Sequence, residues 1–305
     1  MMRTSILFVT LMIAVAQPVG AEKAARTFPS AEAAGQALLA AFAANDDQAL
    51  REVLGPGSDD ILQQGTDPLV AAGRKDLAAA GKEKLAIDRS VPGRAILLFG
   101  ADGWPAPVPL VEKEGTWYFD AAAGREEILA RTIGRNELRA IGICEDYVAA
   151  QAAYASQDRD GDDVRQYARR LASTPGKHDG LYWDDPTGSG PSPLDVALGD
   201  LTNPIAGAPY GGYAWRILTG QGPHAPGGAY SYIINGNMIA GFALVGAPAE
   251  YRKTGVMTFL VSNNGIIYEK DLGPASLEVA KAMTVFDPDD SWTKVEPAEE
   301  SKAPR

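Results

Sequence analysis

Apolar positions first recur at helical spacing after Ser30: Ala34, Leu38, Ala41 and Phe42 share one face, and Ser30 is placed to cap the first turn. Asn45-Asp46-Asp47 interrupts the pattern. A second short helix then carries Ala49, Leu50, Val53 and Leu54 until Gly55-Pro56 stops it. A third helical stretch, residues 68–81, precedes four segments of strand character at 85–91, 94–99, 108–112 and 116–119, with Gly93, Asp102-Gly103 and Glu114-Gly115 as the turns. Helices followed by an antiparallel meander predict an α+β domain over residues 22–130, its helices packed on one face of the sheet.

Residues 135–157 form the most informative helix. Leu138, Ile141, Cys144, Val148, Ala152 and Ala155 make one apolar stripe, and Ile143, Tyr147, Ala150 and Tyr154 make a second. Two stripes fit a spine packed on both sides, or a helix sunk in one core. The stretch 175–212 is rich in Gly, Pro, Asp and Ser and too long for an ordinary connection, which leaves it a structured functional loop or a mobile one. Strands follow at 213–218, 230–234, 238–245, 256–261 and 266–269, with Asn235-Gly236 and Asn264-Gly265 as two-residue hairpin turns. Both rows of the 256–261 strand are largely apolar, which places it centrally in its sheet. A last helix is expected at 276–283. The second domain therefore covers 131–286, an antiparallel sheet with its long linking helix, and the polar tail 287–305 reads as disordered.

Residues 1–21 alter this picture only at the start. Arg3, the apolar run from Ile6 to Ala16 and the small residues Val19-Gly20-Ala21 read as a signal peptide cleaved near Ala21, giving a periplasmic or secreted product without a membrane span in the mature chain. Charge narrows the partners: 28 Lys+Arg against 39 Asp+Glu leave a net charge of -11, which repels nucleic acid and anionic lipid as a general field. One Cys closes no internal disulfide, and with two His it builds no Cys/His zinc site. Cys144 lies among apolar residues, where a thiol is a core atom rather than a nucleophile.

Several phrases together resemble a family of exported bacterial proteins, DUF2950. They are Gly134-Arg135-Asn136-Glu137, Ser173-Thr174-Pro175-Gly176-Lys177, Arg216-Ile217-Leu218-Thr219, Gln221-Gly222-Pro223, Gly241-Phe242-Ala243-Leu244-Val245, Gly255-Val256-Met257-Thr258-Phe259 and Tyr268-Glu269-Lys270-Asp271-Leu272-Gly273. The resemblance runs over nearly the whole mature chain and carries no catalytic residues with it. By layout, the first domain is similar to the cone-type NTF2-like and cystatin-like folds. The second is similar to the globular part of pilin and pseudopilin proteins, although here residues 22–130 stand where a pilin has its membrane-spanning helix.

Three places carry candidate chemistry. Asp158, Asp160 and Asp162 match the first, third and fifth positions of an EF-hand loop, yet Asp163 stands where Gly is needed and Arg169 where a bidentate Glu belongs. What remains is a partial calcium loop needing distant oxygens such as Asp179 or Asp184, or a solvated acidic turn whose Asp160 or Asp162 caps a short helix through Tyr167 and Leu171. Tyr182 and Trp183 beside Asp184 and Asp185 either anchor a turn through buried rings or pair ring faces with carboxylates, a combination suited to sugar or cell-wall fragments. His224 lies in a run of Gly and Pro whose amides form either a strand turn or an anion nest. No set of residues combines nucleophile, base and orienting group. The expectation is a non-enzymatic periplasmic interaction or assembly module, working on another periplasmic or envelope protein and needing no cofactor. The alternative is a small-molecule binder with a cavity in the N-terminal domain around Trp104, Trp117 and Tyr118.

Overall fold

A computed structural model describes residues 25–62, 68–184, 190–200 and 209–296; the expected signal segment 1–21 and Asp185 lie outside the described residues. The chain divides into two compact units, residues 1–128 and 129–305. Among the described residues no helix is long and apolar enough to cross a membrane.

In the first unit, α1 (Ala31–Ala44) starts where the Ser30 side chain accepts the Ala33 amide at 3.1 Å, and ends on Asn45 in the left-handed region. Asp46 then caps α2 (Asp47–Leu54) by accepting the Gln48 and Ala49 amides at 2.9 and 3.1 Å, so the polar break in the sequence serves both helix ends. Following α3 (Pro68–Glu83), five antiparallel strands form: β1 (Leu85–Asp88), β2 (Arg94–Phe99), β3 (Trp104–Pro105), β4 (Leu110–Lys113) and β5 (Thr116–Phe119). They run in the order β1-β2-β4-β5, with β3 also paired to β2. Ala95, Leu97 and Phe99 alternate inward along β2 and meet Leu38, Leu50, Leu110 and Phe119 in one apolar cluster. Gly81 lets α3 approach α1, because a Cβ there would stand 2.2 Å from Leu39.

Asp120 accepts the Ala123 amide and opens α4 (Ala121–Tyr154), fourteen residues earlier than the apolar pattern indicates. No side chain from Arg125 to Arg135 is buried, so this stretch shows no stripe to read. From Asn136 on, the helix buries one face only, through Ala140, Ile143, Cys144, Tyr147, Ala150 and Tyr154, all in the second unit's core. Of the two arrangements left open by the stripes, this fits a helix sunk in one core: Ile141 and Val148 pack against the same cluster, Leu138 is 71% exposed and Ala152 is exposed.

The second unit's sheet has the order β15-β14-β13-β12-β7-β6, made of β6 (Gly199–Asp200), β7 (Tyr213–Leu218), β12 (Ala243–Pro248), β13 (Met257–Ser262), β14 (Ile267–Asp271) and β15 (Thr293–Lys294). Every pairing is antiparallel except β6 with β7. The architecture is thus α+β throughout. At its centre Trp215 lies opposite Gly246 and leaves no room for a side chain, since a Cβ on Gly246 would sit 2.3 Å from the indole. Between β7 and β12 the chain forms the short pieces β8 (Gly220–Gln221), β9 (Tyr230–Ser231), β10 (Ile233–Ile234) and β11 (Asn237–Met238). The continuous strand expected over 238–245 is broken because the Ile239 and Ala240 amides both turn to the Tyr232 carbonyl, which lets Tyr232 and Phe242 enter the core together.

After α5 (Ser276–Ala282) the structure corrects the disordered tail. Phe286 is buried and bridges Gln221, and β15 pairs with β14 through Tyr268–Lys294 and Glu269–Thr293. Backbone pairing, to which composition is blind, holds residues 287–296 in place. The rest of the tail, 297–305, lies outside the described residues.

Candidate functional site: an open basic cleft

Between Tyr154 and Leu198 no helix or named strand occurs among the described residues, and backbone bonds take over the work of secondary structure. Gln151, fully buried on α4, grips residue 168 as a β-neighbour would: its Nε2 donates to the Ala168 carbonyl at 2.9 Å and its Oε1 accepts the Ala168 amide at 2.8 Å. The Tyr167 amide donates to the Met238 carbonyl, and the Tyr182 amide to that of Leu171. Ala168, Leu171, Leu181, Leu194 and Leu198 fasten the segment to the core. A short helix through Tyr167 and Leu171, expected from the sequence, is excluded by these extended pairings.

This segment walls an open cleft of about 860 Å³, completed by Arg216, Ile217 and Thr219 from β7 and its end and by the Gly236-Asn237 turn. Five cations line it, Arg159, Arg169, Arg170, Lys177 and Arg216, together with His178. None of the five takes part in an ion pair among the described residues. Arg159 Nε donates to the Tyr154 carbonyl at 3.0 Å, and its guanidinium lies over the Tyr154 and Trp183 rings at 4.8 and 5.3 Å. Arg169 donates to the Gly236 carbonyl, Arg170 to the Thr174 hydroxyl, and Arg216 to the Lys281 carbonyl. The carboxylates in the cleft are Asp160 and Asp179. Burial works to raise the Asp179 carboxyl, but the amide and hydroxyl of Thr174, at 2.7 and 2.8 Å, and the charge of Arg170 outweigh it and hold it below the usual range.

Two of the phrases noted above find partners in space here and beneath the sheet. In 173–177, Thr174 anchors Asp179 and the turn at Gly176, φ 78°, presents Lys177 to the cleft. In 134–137, Asn136 donates to the Thr254 carbonyl at 2.9 Å while Glu137 accepts the Val256 and Met257 amides at 2.8 and 3.0 Å, tying α4 to the start of β13. A family model described as a protein of unknown function, DUF2950, matches residues 25–295. The chain belongs to the DUF2950 family. No curated protein and no solved structure matches it.

In this DUF2950 chain the other expected site residues fall in separate places. Carboxylate oxygens of Asp158, Asp160 and Asp162 lie within 4.8 Å of one another at the rim of the cleft. Asp158 accepts the amides of Gly161, Asp160 and Asp163, the first of which does most to lower its carboxyl; Asp160 accepts from Gln166 and Asp162 from Asn237. Three carboxylates are about half the oxygens calcium takes, and among the described residues neither Asp179 nor Asp184 joins the group. Trp183 is a packing platform rather than an open stacking surface: its ring stacks on His178 at 4.4 Å, and its Nε1 donates to Gly190. Tyr182 packs against the core, and Asp184 is exposed. His224 lies apart from the cleft, its Nδ1 3.0 Å from Asp287, and the same carboxylate accepts the His224 amide; the run is an anchored turn.

A hollow of about 530 Å³ in the first unit is lined by Arg26, Gln48, Arg51, Glu52, Asp59 and the intervening turn, away from Trp104, Trp117 and Tyr118. Trp104 is 66% exposed on β3, and Trp117 packs against the apolar cluster. The cations of the main cleft escaped the sequence reading because acids surround them. A signal was present nonetheless: Arg159, Arg165, Arg169, Arg170 and Lys177 fall within 19 consecutive residues.

Proposed function

We propose that this DUF2950 chain is a non-enzymatic interaction module, exported to the periplasm, that binds another envelope protein through the basic cleft of its second unit. One observation carries the reading: a chain of net charge -11 gathers five cations around one cleft, none of them in an ion pair among the described residues. Arg169, Arg170 and Lys177 are exposed and Arg159 and Arg216 half-buried, so their charges outnumber the cleft's two carboxylates and stand open to an anionic partner. The cleft also falls inside the roughly 300–1,000 Å³ that ligand sites occupy.

The titratable groups support binding over turnover. Cys144 is sealed in the core, and burial pushes its thiol far up. His178 is stacked on Trp183, and His224 is paired to Asp287. A photo-crosslinking side chain placed at Lys177 in the intact exported chain tests the proposal. It should capture one discrete partner in the envelope, whereas the same group at the exposed Lys75 should not. Equal capture at the two positions, or capture at neither, rejects it.

A further inference from the structure

We infer that the occupant of the cleft is an acidic peptide segment of the partner, held by its carboxylates; this deepens the binding reading above and rests on it. Four of the five cations are arginines, whose planar guanidinium groups match a carboxylate in two parallel bonds. Among the described residues the Lys177 side chain makes no hydrogen bond or ion pair, and Arg170 bonds only the Thr174 hydroxyl, at 3.4 Å, beside the charge of Asp179, so both are available.

The aromatic rings argue against other polyanions and against sugars. Tyr154 is engaged by Arg159, Trp183 by Arg159 and His178, and Tyr167 meets Phe242 edge-on at 4.7 Å. Single-stranded nucleic acid and sugar rings both draw much of their affinity from open ring faces. Here those rings fix the positions of Arg159 and His178 instead.

The neutral and acidic groups of the cleft separate a peptide from a bare oligophosphate. Asp160, Asp179 and the Gly236 carbonyl accept hydrogen bonds, and Gln166 and Asn237 both accept and donate. An oligophosphate offers acceptors and negative charge but no N–H donor for these acceptors. A peptide brings amide N–H groups to these acceptors as well as carboxylates to the arginines.

Fluorescence anisotropy of a labelled oligoglutamate peptide, titrated with the mature full-length chain, tests the inference. Inorganic polyphosphate, polygalacturonate and oligolysine form the comparison arms. The expected result is saturable binding of oligoglutamate, none of oligolysine, and affinity that weakens as salt rises. Arg170→Glu with Lys177→Glu should weaken it roughly tenfold or more. Lys75→Glu, on the exposed face of α3, should leave it within about twofold. Both cleft side chains are exposed, and an unchanged thermal melt verifies folding. Polyphosphate or polygalacturonate binding in place of oligoglutamate overturns the peptide assignment and leaves an anion-binding cleft. Failure of every anion to bind, or equal weakening by Lys75→Glu, overturns the cleft reading itself.

Discussion

Three arginines of the first unit close on carboxylates, Arg74 on Asp47, Arg51 on Asp59 and Arg89 on Glu32, while Arg125 donates to the Gly57 carbonyl and Arg26 lies over the Phe28 ring. In the second unit, Arg159, Arg169, Arg170 and Arg216 turn to carbonyls, a hydroxyl and ring faces around a cleft. Arg74 shows what the first arrangement is for. Only 5% exposed, it reaches Asp47, Asn45 and the Leu62 carbonyl, and so joins the α1–α2 corner to the end of the next turn. Such a cation is a structural part. The cleft arginines bond to neutral partners and, among the described residues, form no ion pair, Arg170 acting on Asp179 through its charge alone, which leaves them open to something outside the chain. The contrast is one of location, since Lys253 and Lys281 in the second unit pair with glutamates three residues away.

The largest effect that would sharpen this contrast is on the frame of the cleft. Replacing Gln151 with Leu leaves the Ala168 amide and carbonyl without partners and should cost about 3 kcal/mol in urea unfolding. A cost under about 1 kcal/mol would mean that the wall is held by its leucines alone. Next comes Arg74→Met, expected to lose about 2 kcal/mol; the value is set below that of a fully buried pair because Asp47 is 37% exposed. In the second unit, Arg169→Ala and Lys177→Ala should each stay within about 0.5 kcal/mol of the parent. Destabilisation by either as large as that of Arg74→Met would erase the distinction between structural and recognition cations.

The smallest effect is a pH dependence at His224. Its hydrogen bond to Asp287, then the charges of Asp287, Asp289 and Asp290, raise the imidazole above its ordinary value in the folded chain, against a small opposing desolvation. A raised folded value means that the stabilisation is complete below the unfolded imidazole's pKa and disappears as pH climbs through the folded one. His224→Gln should therefore lower the melting temperature at about pH 5.5 and leave it nearly unchanged at about pH 8.5. A difference that grows toward alkaline pH contradicts the pairing.

Local chemistry was the legible part of this chain. The edges of β2, β5 and β7 coincide with the segments read from alternation and turn residues, and Asn235-Gly236 makes the expected hairpin with φ of 50° and 91°. The start of α4 was hidden because its exposed stretch needs no apolar face. Sequence left open whether Trp183 anchors a turn or faces a sugar, since a ring covered on one face by an imidazole looks the same in sequence as one open on both. The cleft was the least visible element. Its cations are spread from 159 to 216, and acids flank the first of them. What brings them together is a set of backbone bonds in a segment with no periodicity, to which residue pattern gives no access.

The hold that Gln151 has on residue 168 engages peptide atoms alone. An anchor of that kind is indifferent to which side chains flank it, so the wall could exchange Arg169, Arg170 or Lys177 for other residues and still be seated in the same place. The frame and the charge of this surface are thereby physically separable, and a substitution on the wall can rewrite what the surface presents without first solving a folding problem.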